Sequence, residues 1–515
     1  MAENKQIPDN KQAEPLPPDD RTDCSSGLIC MQAVSEQSLP ESAFRESVNM
    51  NFDPIGAMQL RKGVTRLGSV LPASVNGMFQ FNTSTGTYSQ FIVAAGGTIY
   101  YLNGSTFTSS LTGLTSPAPV RFVTILNNVI MVDGLDATQC WDGNPGGSGW
   151  VTSGNASGAP VGIDIETFQG HVWILDANSV LYWSSVATTQ ASLTWSANLT
   201  SGTQWVMMNP QDGDTPTGIV RYRAQMILFK QNHIYRIMGI GNVDADPWYG
   251  VGTFSKESVV ETKVGLFFHH STGFYQYNVY GVVQEISRPV IDFIRAIPSS
   301  QYAKIAGWLE PDGDHIVWAI GTVTVAAPWG AAGSKGTTYT NCELRYTIST
   351  QTWTHYVRPH QFTTSIRRWP YYNDGTTLWA TAGDNAGNVY MVNNGVTDDG
   401  TPISYSIIHG WDFIDDLLST RKTVQEANFC HIGGAGSNVS WQAEDQDPDA
   451  LNDWSKHRIG QLNTINTGFN TIDAKARKIR FRVWGTSTGV PFLYGGYELI
   501  NVTNELITFD PSNTQ

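Results

Sequence analysis

The residues that could do chemistry in this chain are few, and each has a plain alternative. His269 and His270 stand side by side in FFHHST. Neighbours on a strand point to opposite faces, so this pair does not converge on one metal and reads as two strand histidines. Asp445, Asp447, Asp449 and Asp453 crowd the loop EDQDPDALNDW, residues 444–454. They could offer oxygen ligands to calcium, but no glycine sits at the turn and no glutamate closes the loop. A solvated acidic loop is the better reading. Glycosidase chemistry needs a matched carboxylate pair. With 45 acidic residues, some pair always fits, and no spacing singles one out. The chain has no HExxH, P-loop or CxxC. GIGNVDADPWYG (239–250) has glycines but opens no helix, so it is not a dinucleotide site. DGNPGGSGW (142–150) lacks the serine and spacing of the turns found in propeller sialidases. The expectation is a protein that is not an enzyme, with no cofactor and no metal.

The sharpest constellation is basic. In AKARKIRFRVWG, Lys478, Arg480 and Arg482 alternate with Ile479, Phe481 and Val483. At the strand period of two, the cations share one face and the apolar residues the core face. Such a face suits an acidic partner: another subunit, an adaptor protein or DNA. A solvated face with local carboxylates is the alternative. SIRRWPYYND (365–374) forms a second basic-aromatic patch. Most of the Trp and Tyr residues are expected in the core.

Composition narrows the class. Hydrophobic residues make up 41% of the 515, enough for a sizeable core. Charged residues are 15%, well below the usual share of about 25%. Uncharged polar groups must therefore cover the surface, which suits burial in an assembly or a particle that survives outside a cell. The net charge of −14 argues against wrapping nucleic acid. It does suit a wall past which DNA slides without sticking. Cys24, Cys30, Cys140, Cys342 and Cys430 are an odd number without metal-site spacing, which points to a reducing site of synthesis. The first 24 residues have no apolar signal segment. No window reaches the length of an apolar membrane span.

These residues must be positioned by strands. From residue 76 to 399, β-rich runs alternate with Gly, Asn, Asp and Ser turns. Examples are FIVAAGGTIYYLNG (91–104), NNVIMVDGLDATQCWDG (127–143) and GHVWILDANSVLYWSS (170–185). AQMILFKQNHIYRIMG (224–239), GLFFHHSTGFYQYNVYGVVQEIS (265–287), DHIVWAIG (314–321) and TTLWATAGDNAGNVYMVNNG (376–395) continue the series. Each reads as part of a hairpin whose first strand is a near-continuous apolar run, covered on both faces. They recur at roughly 35 to 50 residues, the period of β-propeller blades. The expected fold class is all-β: a propeller of about six or seven blades. A row of β-sandwiches is the alternative. RPVIDFIRAI (288–297) and GWDFIDDLLST (410–420) have helical spacing. Residues 1–46 read as an extended N-terminal arm, with 1–24 acidic and proline-rich. Residues 47–75 lead into the propeller, and 400–515 form a β-sandwich-like unit, packed on the propeller or completing it.

Between arm and propeller lies SVNMNFDPIGAMQLRKGVTRLG, residues 47–68. Pro54 and Gly56 shape a turn, and the segment then runs extended to a second turn at Gly63. Its expected job is to lead the chain in and close the ring by pairing with a late blade, with Arg61 and Arg66 neutralising nearby carboxylates. The spacing N-x-x-x-D-P-x-G-x-x-x-x-R-x-G, carried by Asn49, Asp53, Pro54, Gly56, Arg61 and Gly63, resembles the opening of tail nozzle or hub proteins of short-tailed bacteriophages, also called tail stabilisation or tail tubular proteins. In organisation the resemblance spans the chain; in motif it covers about 25 residues and supplies no catalytic group.

The resemblance implies a virion structural protein, made in the host cytoplasm, that forms a homohexameric ring below the portal and adaptor proteins. Genomic DNA would pass through the lumen without sequence-specific binding, and tail fibres or spikes would attach at the flank. A different class of function is a carbohydrate-binding or carbohydrate-cleaving propeller for host-surface attachment, marked by exposed Trp and a carboxylate pair in the central cavity. A third is an interaction scaffold inside a cell.

Overall fold

The fold was analysed in a computed structural model. It describes residues 19–21, 23–30, 40, 42–52, 56–115, 118–187, 193–209, 211–243, 248–325, 336–366, 371–412, 421–433, 436–443, 458–462, 470–476, 478–487 and 492–505. The chain forms two compact units: 1–61 with 352–355 and 402–515, and 62–351 with 356–401.

The second unit is a β-propeller, and its described residues make seven blades. The inner strands are Val75–Asn82, Arg121–Ile125, Asp164–Phe168, Pro216–Tyr222, Val260–Glu261, Ala306–Leu309 and Phe362–Ser365, for blades 1 to 7 in turn. Blade 3 shows the plan. Asp164–Phe168, His171–Leu175, Val180–Trp183 and Trp205–Met207 pair antiparallel in chain order. Blade 2 replaces its fourth strand with a single bridge, Cys140 to Val151.

Each blade buries both faces against its neighbours, and this explains the apolar runs. Trp173, Leu175 and Leu181 of blade 3 pack on Ile219, Leu228 and Tyr235 of blade 4. Val123, Ile130 and Cys140 of blade 2 meet Ile165, Val172 and Ile174 of blade 3. The alternating residues of strand 171–175 thus enter two different cores, so no face of it can be polar. Between blades 5 and 6, Phe274 stacks on Trp318 with ring centres 4.4 Å apart. The ring closes where Ile366 and Val389 of blade 7 join Val75, Met78 and Phe91 of blade 1.

Blade 7 takes its fourth strand from the N-terminal side. Val64, Thr65 and Arg66 pair antiparallel with Val392, Met391 and Tyr390. RPVIDFIRAI forms a 3-10 turn, Arg288–Val290, and an α-helix, Ile291–Ala296. For GWDFIDDLLST, residues 413–420 lie outside the described residues; Asp412 bridges to Ile479.

The first unit holds two antiparallel-rich sheets around one core. One contains Met50–Asn51, Met58–Leu60, Leu493–Glu505, Arg421–Ile432 and Asn470–Ala476. The other includes Ala43–Val48, Ser404–His409, Ile479–Thr486, Asn438–Ala443 and Arg458–Gln461. Phe44, Met50, Phe429, Trp441, Phe481 and Tyr497 share the core between them. Residues 42–61 therefore supply sandwich strands, and the passage to the propeller falls at Arg61–Lys62.

Candidate functional site: the propeller axis and the lead-in clasp

Charged side chains gather on the propeller axis. Blade 3 supplies Asp164 and Glu166, which stand two apart on a strand and so share a face, while Ile165 between them enters the blade 2–3 core. Blade 2 supplies Arg121, and the 3-10 turn Lys256–Ser258 before blade 5 supplies Lys256 and Glu257. All five line one cavity.

Two short ion pairs span it, with a longer one between Arg121 Nε and Asp164 Oδ1 at 3.9 Å. Arg121 Nη1 reaches Glu257 Oε1 at 2.6 Å, and Lys256 Nζ reaches Asp164 Oδ2 at 2.7 Å. Asp164 Oδ2 also accepts the Ile219 amide of blade 4 at 2.6 Å, and Thr364 of blade 7 donates to Glu257 at 3.3 Å. Glu166 accepts its neighbour's amide, Thr167, at 2.9 Å. Gly218 makes this approach possible: a Cβ there would lie 2.7 Å from Asp164 Oδ2 and 2.6 Å from Lys256 Cδ. The short pairs join blades 2 and 5, and 3 and 5, straight through the middle. Breaking one would strand a buried charge, which costs far more than the intact pair contributes. The axis is thus bolted shut to anything of nucleic-acid size. Asp164 and Glu257 are each held by a cation.

The lead-in segment forms a second constellation. Asn49 adopts a left-handed backbone, φ 61°, a region Asn tolerates better than most residues. Its amide donates to His355 O at 3.0 Å and its Nδ2 to Ser404 O at 2.6 Å. Arg61 is 2% exposed. It binds Asn49 twice, from its backbone amide to Asn49 O at 2.9 Å and from Nε to Asn49 Oδ1 at 2.7 Å. The two ends of the motif are clasped to each other. Asp53 and Pro54 lie outside the described residues; Gly56 has φ 73°. Gly63 donates to Gly395 O at 3.0 Å, and a Cβ there would sit 1.9 Å from Thr397 O. Arg66 pairs with Asp399 at 2.5 Å. Its hydrogen bond and charge contact with Asp399 outweigh its partial burial and raise its pKa.

On the strand Ile479–Thr486, Ile479, Phe481 and Val483 are buried, as the alternation requires. Arg480 is buried as well. Its guanidinium lies over Trp411 at 4.5 Å and binds Gln442 Oε1 at 2.6 and 2.9 Å. Lys478 shares the Trp411 ring at 4.9 Å, and Arg482 stacks on Trp484 at 5.1 Å. This strand therefore shows two half-buried cations rather than an open strip of three. Arg367 and Arg368 of the second basic patch, and the 444–454 loop, lie outside the described residues. His269 is fully buried against Phe274 and Tyr302, and burial, then the neighbouring His270, pushes its pKa down to about 3. It stays neutral and structural.

Sequence reading missed the axial charges. The signal was present in PVRFVTI, GIDIETF and SKESVVE, where charges interrupt the first apolar strand of a repeat. In a blade the inner strand and the turn that enters it can place such residues on a shared axis.

No protein-family profile and no curated protein matches this sequence. Among solved structures, the chain is similar to BBS1N in complex with ARL6DN at 9% identity, covering 64% of this chain and 97% of that one, TM-score 0.38. It is similar to BamB from Moraxella catarrhalis at 7% identity, 67% and 96% coverage, TM-score 0.35. It is also similar to the computationally designed Ika8 protein at 10% identity, 64% and 99% coverage, TM-score 0.38. The propeller assignment stands on the strand pairing described above.

Proposed function

We propose that this chain is a virion structural protein: the subunit of a ring-shaped, hexameric tail nozzle or hub of a short-tailed bacteriophage. The observation that carries the reading is the lead-in motif. Asn49, Arg61 and Gly63 are the clasp and hinge that feed Val64–Arg66 into blade 7. Motif and propeller are one device, which gives a physical reason for the pair to occur together in such proteins.

The partners are then further copies of the chain, portal and adaptor proteins, and tail fibres or spikes, with genomic DNA passing without sequence-specific binding. Because the propeller axis is crossed by ion pairs, the DNA channel must lie between copies, along their acidic surfaces. Each blade runs up and down in equal passes, so every turn between strands one and two, or three and four, comes to the same face. On that face of blades 3 to 5, Val186, Met238, Ile240, Val264, Tyr280 and Val282 are exposed. Gln169 of blade 3 binds Met238 O at 2.9 Å, and Arg236 of blade 4 lies beside Gly281 of blade 5. Exposed apolar side chains on one face of three successive blades support assembly with another copy. The carbohydrate-cleaving alternative needs an available carboxylate pair on the axis, and there Asp164 and Glu257 are engaged by cations while Glu166 accepts the backbone amides of Thr167 and Arg221.

Immunogold labelling tests the reading. Antibody raised against this chain is expected to mark the tail tip of short-tailed particles. Particles that carry the chain on the capsid, or not at all, would contradict it.

A further inference from the structure

The hairpin that joins the first two strands of blade 6 has the sequence EPDGDH, residues 310–315. Glu310, Asp312 and His315 each aim one donor atom at a common point, all within 4.8 Å of one another. His315 Nδ1 stands 2.6 Å from Asp312 Oδ2 and 3.7 Å from Glu310 Oε2. Two features lift this above a chance acidic turn.

The first is Glu310. Its side chain is 6% exposed, and its Oε1 is buried without a hydrogen-bond partner. A buried carboxylate oxygen without a donor is costly. The only cation recorded at this carboxylate among the described residues is Arg345, whose Nη2 lies 3.5 Å from the other oxygen, Oε2. The second is charge balance. Asp314 Oδ2 lies 4.0 Å from His315 Nε2, so three carboxylates surround one imidazole. Against them stands Arg345, which leaves two negative charges, the complement of a divalent cation. Asp312 is half exposed and gives the site an approach from solvent.

We infer that Glu310, Asp312 and His315 form a binding site for a divalent first-row transition metal such as zinc. Two carboxylates and one imidazole make a three-donor set that leaves a position for water, and nitrogen in the set disfavours calcium and magnesium. With the imidazole neutral, as in that charge balance, a metal at Nδ1 leaves the ring proton on Nε2. Asp314, on the far side of the ring, adds negative charge beside the imidazole at 4.0 Å. The metal would pin the turn at the end of blade 6; no reaction is assigned to it.

The test uses the full chain stripped with chelator, titrated with Zn²⁺ by calorimetry and with Co²⁺ by visible absorption. One equivalent is expected to bind with micromolar affinity and with a rise in Tm. Glu310→Gln and Asp312→Asn should each weaken binding by well over a hundredfold, beyond the roughly 10–100-fold that loss of an outer contact costs. Circular dichroism of each variant checks that it is folded. Absence of a Co²⁺ spectral change at millimolar metal would overturn the site. Unchanged binding in folded Glu310→Gln, or displacement of Zn²⁺ by equimolar Ca²⁺, would do so as well.

Discussion

At the scale of single residues, this propeller spends its charge internally. Arg358 is the clearest case. Its side chain is fully buried, with Nε 2.9 Å from both Glu343 oxygens and Nη1 3.1 Å from Asp398. Burial alone would lower its pKa, but the Glu343 and Asp398 carboxylates outweigh burial and raise it. Arg358 thereby ties blade 6 to the segment that runs beside the closing strand, since Asp398 pairs with Val64. Arg358→Ala is expected to destabilise the propeller by about 3–5 kcal/mol, the cost of removing one partner from a buried charge cluster. Urea unfolding measures this; a loss under about 1 kcal/mol, the range of an exposed pair, would show that solvent reaches the cluster. Charge used in this way is invisible in a sequence. Glu343 sits in an alternating strand, TYTNCELRYT, that reads as half-exposed, and only the closure of the ring puts it in the interior.

At the scale of elements, the apolar runs were legible because the propeller demands them. All seven hairpin segments quoted from the sequence carry middle strands, one segment for each blade. Inner and outer strands were not legible. The inner strand of blade 5 is two residues long, and the fourth strand of blade 2 is one bridge. Both lack the length that periodicity needs. The blade number came from pairing rather than repeat, since turns such as VDGLD, LDANS and GDNAG share little beyond an Asp that caps following amides. The role of 47–68 was legible from turn chemistry, while its division between two units was not, because a three-residue strand looks the same in either. Closure makes a prediction of its own. Gly63→Ala places a methyl group against Thr397 O, and backbone must shift to admit it. A cost of about 1–3 kcal/mol, as for overpacking, should appear as a lower calorimetric transition for the propeller. An unchanged transition would mean that the closing strand contributes little to holding the ring.

At the scale of the whole chain, two units with separate cores share one polypeptide that enters the propeller at Lys62 and leaves it at Thr401. Its 15% charged residues and net −14 agree with a subunit whose surface is covered in an assembly. The central claim is that this protein works by assembling, and native mass spectrometry of the purified full chain, with negative-stain images of the same sample, tests it most directly. The account predicts closed rings of about six copies, whose mass is a multiple of the 56.5 kDa chain. A chain that stays monomeric at tens of micromolar, or a monomer that cleaves polysaccharide, would contradict it.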